Sequence, residues 1–246
     1  MNVHHFAAGH FTCIPGGPFS LGVAPDAGYA LHRARFHRPP PLMAGFDAIE
    51  AHLARLGLPK TALAACELRA PKPMTMAEFQ AFNAPYVARL AGMGLNDGGI
   101  SVTGRSNVAP ILEAPAEPTF FAFTYVVPEA GASGDFLISG KPENVEGAAG
   151  ADRVFGGNDV SIPGLAKKAR YMVDVLKARV AALGCDWAGV TAAQMYCVHD
   201  IRPLFESVLA PDGLTAFGLA WYPAWPPVSD LHIEADVRRI RTEFVI

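Results

Sequence analysis

Charge is scarce in this chain. Asp, Glu, Lys and Arg make up 17% of 246 residues, and 20 basic side chains face 23 acidic ones. A net charge of −3, with Lys and Arg scattered, argues against a nucleic-acid surface, which is built on phosphate contacts. Low charge beside 51% hydrophobic residues excludes a disordered chain and supplies apolar material for two cores or extended subunit contacts. Long apolar runs are also missing, and the start carries His4, His5 and His10 in place of a basic stretch followed by an apolar one. Neither a membrane span nor a secretory signal is legible, so the expectation is the cytoplasm. Cys13, Cys66, Cys185 and Cys197 lie far apart without CxxC spacing, which speaks against a disulfide framework or a zinc ribbon. His4, His5, His10 and Cys13 are metal-ligand types, but the plainer reading is a flexible or interface-bound N-terminal segment, with no metal.

What is present is patterned as α+β. Phe46, Ile49, Leu53 and Leu56 recur at helical spacing, with Gly57 placed to end that helix. Leu165, Ala169, Met172, Val173, Leu176, Val180 and Leu183 do the same over a longer stretch closed by Gly184, with Lys167, Arg170, Asp174 and Lys177 opposite. Thr75 and Glu78 have the spacing of a capping box, opening a helix in which Pro85 predicts a kink or an early stop. Pro39–Pro41 and the glycine-rich stretch 147–157 read as loops.

Within this frame Arg105 stands out. It opens a β-prone run, Gly104-Arg-Ser-Asn-Val108, and a second such run follows at 119–127. A guanidinium keeps its charge and fits a carboxylate with two parallel hydrogen bonds, which suggests a site for a small acid. Phe79-Gln-Ala-Phe-Asn83-Ala-Pro-Tyr86, followed by Arg105-Ser-Asn-Val108, resembles the Rid/YjgF superfamily of enamine and imine deaminases. That resemblance implies that Arg105 grips the substrate carboxylate. It also implies an acidic residue on the closing strand, which the run at 119–127 lacks.

The pattern restarts after Pro128. Gly134-Asp-Phe-Leu-Ile-Ser139-Gly140 resembles the family's early strand, whose Ser-Gly lines the pocket, and Glu234 in Leu231–Val237 matches the missing acid. Here Gly218-Leu-Ala-Trp221 stands where the arginine belongs. Ala54-Arg-Leu-Gly57 before the run at 61–68 is echoed by Ala181-Ala-Leu-Gly184 before 191–198, and each leads through proline to a helix near Phe79 or Phe205. The chain therefore reads as two tandem Rid-like, chorismate-mutase-like α+β domains, 1–128 and 129–246, each a mixed sheet with helices on one face. The tandem arrangement resembles the bacterial 2-aminomuconate and 2-amino-5-chloromuconate deaminases.

The resemblance implies hydrolytic deamination without a cofactor. Arg105 and Glu234 would be the catalytic pair, and Asn107, Ser139 and Gly140 would bind substrate. It also implies a homo-oligomer, trimeric or pseudo-hexameric, acting on a small carboxylate, while the charge balance and the lack of long apolar runs point to no nucleic-acid or membrane partner. A distal carboxylate would need a further cation, with Arg33, Arg35, Lys141 and Arg202 as candidates. Plainer readings stand beside these: an ion pair of Arg105 with Glu113 or Glu117, a solvated polar face for Glu234, and core or interface roles for Trp221, Tyr222 and Trp225. A carboxylate-binding regulatory oligomer and a ribonuclease or translation inhibitor are the alternative functions.

Overall fold

The computed structural model describes residues 1–216 and 218–246. Its two halves repeat one strand order. In the first, Tyr29–Arg35, Thr119–Pro128, Leu63–Arg69 and Gly104–Pro110 are neighbours in that sequence; in the second, Phe136–Pro142, Ile233–Arg239, Ala192–Cys197 and Leu219–Tyr222 follow the same order. The orientations match too. Leu63–Arg69 is parallel to Gly104–Pro110, as Ala192–Cys197 is to Leu219–Tyr222, and the remaining pairings within each set are antiparallel. Leu219–Tyr222 thus occupies the place of the Arg105 strand in the second half.

Each sheet also borrows from the other half. His4–Phe6, Phe11–Cys13 and Gly22–Pro25 extend the sheet of the second half to seven strands, while Ala224–Trp225 and Thr242–Val245 flank the first half's sheet, making six. The N-terminal histidines are therefore held in place. His4 and His5 contact Asp97 at 2.9 Å and Asp26 at 3.1 Å, and His10 stacks on Tyr29. Of the flexible and interface-bound alternatives for this segment, the flexible one fails, because backbone pairing holds it in the sheet of the second half. Burial also pushes the Cys13 thiol up to about 11.

Helices cover the outer faces. α1 (Leu42–Arg55) and α2 (Met76–Gly92) pack Phe46, Ile49, Leu53, Tyr86 and Leu90 onto Leu63, Cys66, Phe120 and Phe123. α3 (Ile162–Ala182) packs Leu165, Met172, Val173 and Leu176 onto Ile138, Met195, Ala235 and Val237. Gly57 and Gly184 follow α1 and α3 at φ 69° and 71°, a conformation that favours glycine at a helix end. The Thr75 and Glu78 capping box forms, with bonds of 2.7 and 3.2 Å.

Pro85 does not stop α2. It and Ala81, whose carbonyl loses its amide partner, are both exposed, so water can satisfy that carbonyl. The counterpart near Phe205 is only a short helical stretch, Arg202–Leu204 continued by the π-helical turn Phe205–Leu209.

The inner faces of the sheets are polar and meet each other. Ser106 donates to Asp236 (2.8 Å), as do Tyr196 (2.9 Å) and Gln194 (3.0 Å), and Gln194 also reaches Glu67 at 3.3 Å. Arg33 forks onto Glu67 with bonds of 2.6 and 2.7 Å. Burial alone raises the Glu67 carboxyl, but that fork overrides it and holds the group well below the usual range. Among the described residues, no helix is long and apolar enough to cross a membrane.

Candidate active site

A cavity of about 480 Å³ opens where the two sheets meet, and Arg105, Asn107, Gly140 and Glu234 all line it. They come from two strands of opposite halves, joined by Glu234 on a third. Ser106 points to the inner polar face, so Arg105 and Asn107, which alternate with it along the strand, point to the face covered by α2. The Arg105 guanidinium is 2% exposed. One nitrogen, Nη1, donates to Asn83 Oδ1 at 2.8 Å, and the group lies 4.3 Å from the Phe19 ring centroid, 4.8 Å from Tyr86 and 5.3 Å from Phe79. The other terminal nitrogen, Nη2, is buried without a partner. The helix motif Phe79, Asn83, Tyr86 therefore builds an aromatic collar that orients one fork of the arginine and leaves the second for a ligand. Neither Glu113 nor Glu117 contacts it among the described ion pairs.

Glu234 sits opposite, 2% exposed, with Oε2 unpartnered. Alternation along Ile233–Arg239 sends Ile233, Ala235 and Val237 into the core under α3, as the sequence pattern implies. The polar face of that strand meets the other sheet instead of solvent. Burial, followed by the charges of Asp236 and Glu143, pushes the Glu234 carboxyl well above the usual range, with Arg105 and Lys141 opposing. It therefore holds its proton to higher pH than a solvated carboxyl does.

Gly140 explains how the acid fits. Phe136–Pro142 pairs with Ile233–Arg239 through a bulge between Ile138 and Lys141, and a Cβ on Gly140 would lie 2.0 Å from Glu234 Oε1. The Gly140 amide donates to Ser106 Oγ at 3.1 Å. Ser139 lies behind the cavity wall. Its hydroxyl donates to the Ser20 carbonyl at 2.6 Å and accepts from the Arg105 amide at 3.0 Å, so it fixes the Arg105 strand against the second half. Asn107 offers both side-chain polar atoms, buried and unpartnered.

Lys141 and Arg179, 1% and 2% exposed, also line the cavity. Of the four cations considered for a distal carboxylate, only Lys141 lines the cavity. Arg33 is engaged by Glu67 and Glu243, Arg35 is exposed, and Arg202 pairs with Asp200 on the surface. Arg179 escaped the sequence reading. It lies on the buried face of α3, and its position beside Val180 could have flagged a functional cation within an apolar stripe. The glycine-rich segment contributes Gly147, Ala148 and Arg153 to the cavity wall. Trp221 donates to the Cys197 carbonyl (2.9 Å), Tyr222 stacks on Tyr196, and Trp225 packs edge-on to His199; none lines the cavity. Among the described residues no group of three or more His, Cys, Asp or Glu could hold a metal ion.

Comparisons with known proteins bear on this site. A family model described as 2-aminomuconate deaminase CnbZ matches residues 3–244. A 2-amino-5-chloromuconate deaminase of Comamonas testosteroni is 36% identical over 245 residues, 98% of each chain. Among solved structures, a chorismatase aligns over 97% of this chain and 89% of its own, at 11% identity and a TM-score of 0.48. The YjgF gene product of E. coli aligns over 44% of this chain and 82% of its own, at 19% identity and a TM-score of 0.32.

Proposed function

The chain belongs to the family of 2-aminomuconate deaminase CnbZ, and from that premise we propose that it hydrolyses an unsaturated 2-amino acid, 2-aminomuconate or a chlorinated analogue, with release of ammonia. The observation that carries the proposal is the pairing, in one cavity, of a buried arginine with a free donor and a buried carboxyl group with a free oxygen, whose surroundings favour its protonated form.

Arg105 binds the carboxylate next to C2 through Nη2 and draws electron density from the reacting carbon. The Glu234 proton passes to C3 of the enamine, giving an iminium and a carboxylate. That carboxylate takes a proton from water as its oxygen attacks C2. The same proton then reaches the nitrogen, the C–N bond breaks as the C2 hydroxyl returns its proton to the Glu234 carboxylate, and ammonia leaves with the 2-oxo acid. General acid–base help of this kind contributes roughly 10² to 10⁴ in rate. Asn107 supplies one donor and one acceptor for orientation. The step consumes only water and needs no cofactor or metal.

We propose further that the protein acts in the cytoplasm as a homo-oligomer, a trimer or pseudo-hexamer of domains divided near residue 128. Supporting this, Leu219–Tyr222 ends its sheet with one edge open, and open edges favour pairing or cover. Purified protein given 2-aminomuconate should release one ammonia per substrate. Glu234→Gln, equal in shape but without the transferable proton, should lower kcat by about 10² or more with little change in KM. Absence of ammonia with the intact protein would favour a carboxylate-binding role.

A further inference from the structure

Charge along one part of the cavity wall does not balance. Lys141 and Arg179 are both buried there, and the acid they share, Glu146, has a half-exposed side chain on the loop after Phe136–Pro142. Arg179 uses Nη2 for Glu146, while Nε and Nη1 are buried without partners. Lys141 Nζ donates to the Asn144 side chain at 2.9 Å and to its carbonyl, and stands 4.0 Å from Glu146. Two desolvated cations with unused donors are costly unless something anionic arrives. Glu146, by contrast, can return to water with little loss.

We propose that Lys141 and Arg179 form a second carboxylate subsite, in which Glu146 is a place-holder that an incoming dicarboxylate displaces. The inference deepens the reading above and rests on it for the substrate class. With Arg105 bordering the same cavity, the subsite makes the site selective for an unsaturated acid carrying a carboxylate at both ends. The volume, about 480 Å³, falls in the ordinary range for small-molecule pockets, roughly 300 to 1,000 Å³. Burial lowers the basicity of Lys141, to about 8, and that of Arg179; an added anion would restore both.

The test compares cis,cis-muconate with sorbate, a dienoic acid of the same length that lacks the second carboxylate, by titration calorimetry. The unaltered protein should bind muconate at least about tenfold more tightly, as a charge-assisted pair at the second subsite implies. Arg179→Gln should bring the two affinities within about threefold of each other while leaving sorbate binding in place. Glu146→Gln, on the half-exposed loop, should tighten muconate by roughly threefold or more, because the competitor is gone. If Arg179→Gln does not fold, Lys141→Met takes its place with the same expected loss of discrimination. Equal binding of the two acids, no binding of either, an unchanged ratio in the Arg179 or Lys141 variant, or weaker muconate binding in Glu146→Gln overturns the subsite. Because these are binding readouts, failure of ammonia release with muconate selectivity intact would sink the deaminase reading alone.

Discussion

At the residue scale, the proposed reaction divides binding, at Arg105, from proton transfer, at Glu234. Removing the Arg105 fork by Arg105→Ala deletes a charge-assisted contact worth roughly 1.5 to 3 kcal/mol. We expect muconate affinity to fall about tenfold or more in calorimetry, at about 1.4 kcal/mol per decade. Glu234 carries a pH signature. Its folded-state pKa is raised, so the folded protein holds this proton where the unfolded chain has released it. The stabilisation is complete below the unfolded value, roughly 4.3, and is lost as pH rises through the folded one. Glu234→Gln removes that dependence. As pH rises from about 4.3 toward the raised folded-state value, the melting temperature of the variant should therefore gain on that of the unaltered protein, measured by scanning calorimetry. A constant difference across that range would show that Glu234 is not the group responsible.

At the element scale, two local devices place these residues. The bulge at Ser139–Gly140 admits Glu234 because position 140 has no Cβ; Gly140→Ala would bring a methyl 2.0 Å from Glu234 Oε1. The conflict is with the end of a side chain, so the fold should survive while the acid is displaced. We expect kcat to drop about tenfold or more, within the range assigned to general acid–base catalysis, with a small change in melting temperature. A fully active alanine variant would show that Glu234 has room to act elsewhere. α2 is the second device. Its capping box and the motif Phe79, Asn83, Tyr86 were readable because each works through neighbours three or four residues apart. The continuity of α2 through Pro85 was not, since it depends on the exposure of Ala81, which tertiary packing sets.

At the scale of the whole molecule, neither half owns its sheet. Strands from residues 4–25 complete the second half's sheet, and 224–225 with 242–245 flank the first half's. Fragments 1–128 and 129–246 made separately would each expose unpaired edges and inner polar groups such as Glu67 and Asp236. Each alone should therefore give an unfolded or aggregated far-UV spectrum, and co-refolding should restore the native one together with muconate binding. Two independently folded, monomeric fragments would contradict this account. The same exchange makes the site: Arg105 and Glu234 lie more than a hundred residues apart, and the Ser106–Asp236 contact fixes their strands against each other.

The sequence by itself determined the α+β class, the repeated order of elements, the helix ends at Gly57 and Gly184, and the complementary pair Arg105 and Glu234. These follow from periodicity, turn chemistry and short motifs, all of which act over a few residues. Only the tertiary structure decided that Ser139 braces a strand while Gly140 lines the cavity, that Arg179 faces inward with Lys141, and that the polar face of the Glu234 strand is buried. Burial is the reason. Whether a polar face meets water or a second sheet depends on long-range pairing, which no local pattern encodes, and the upward shift of the Glu234 carboxyl follows from it.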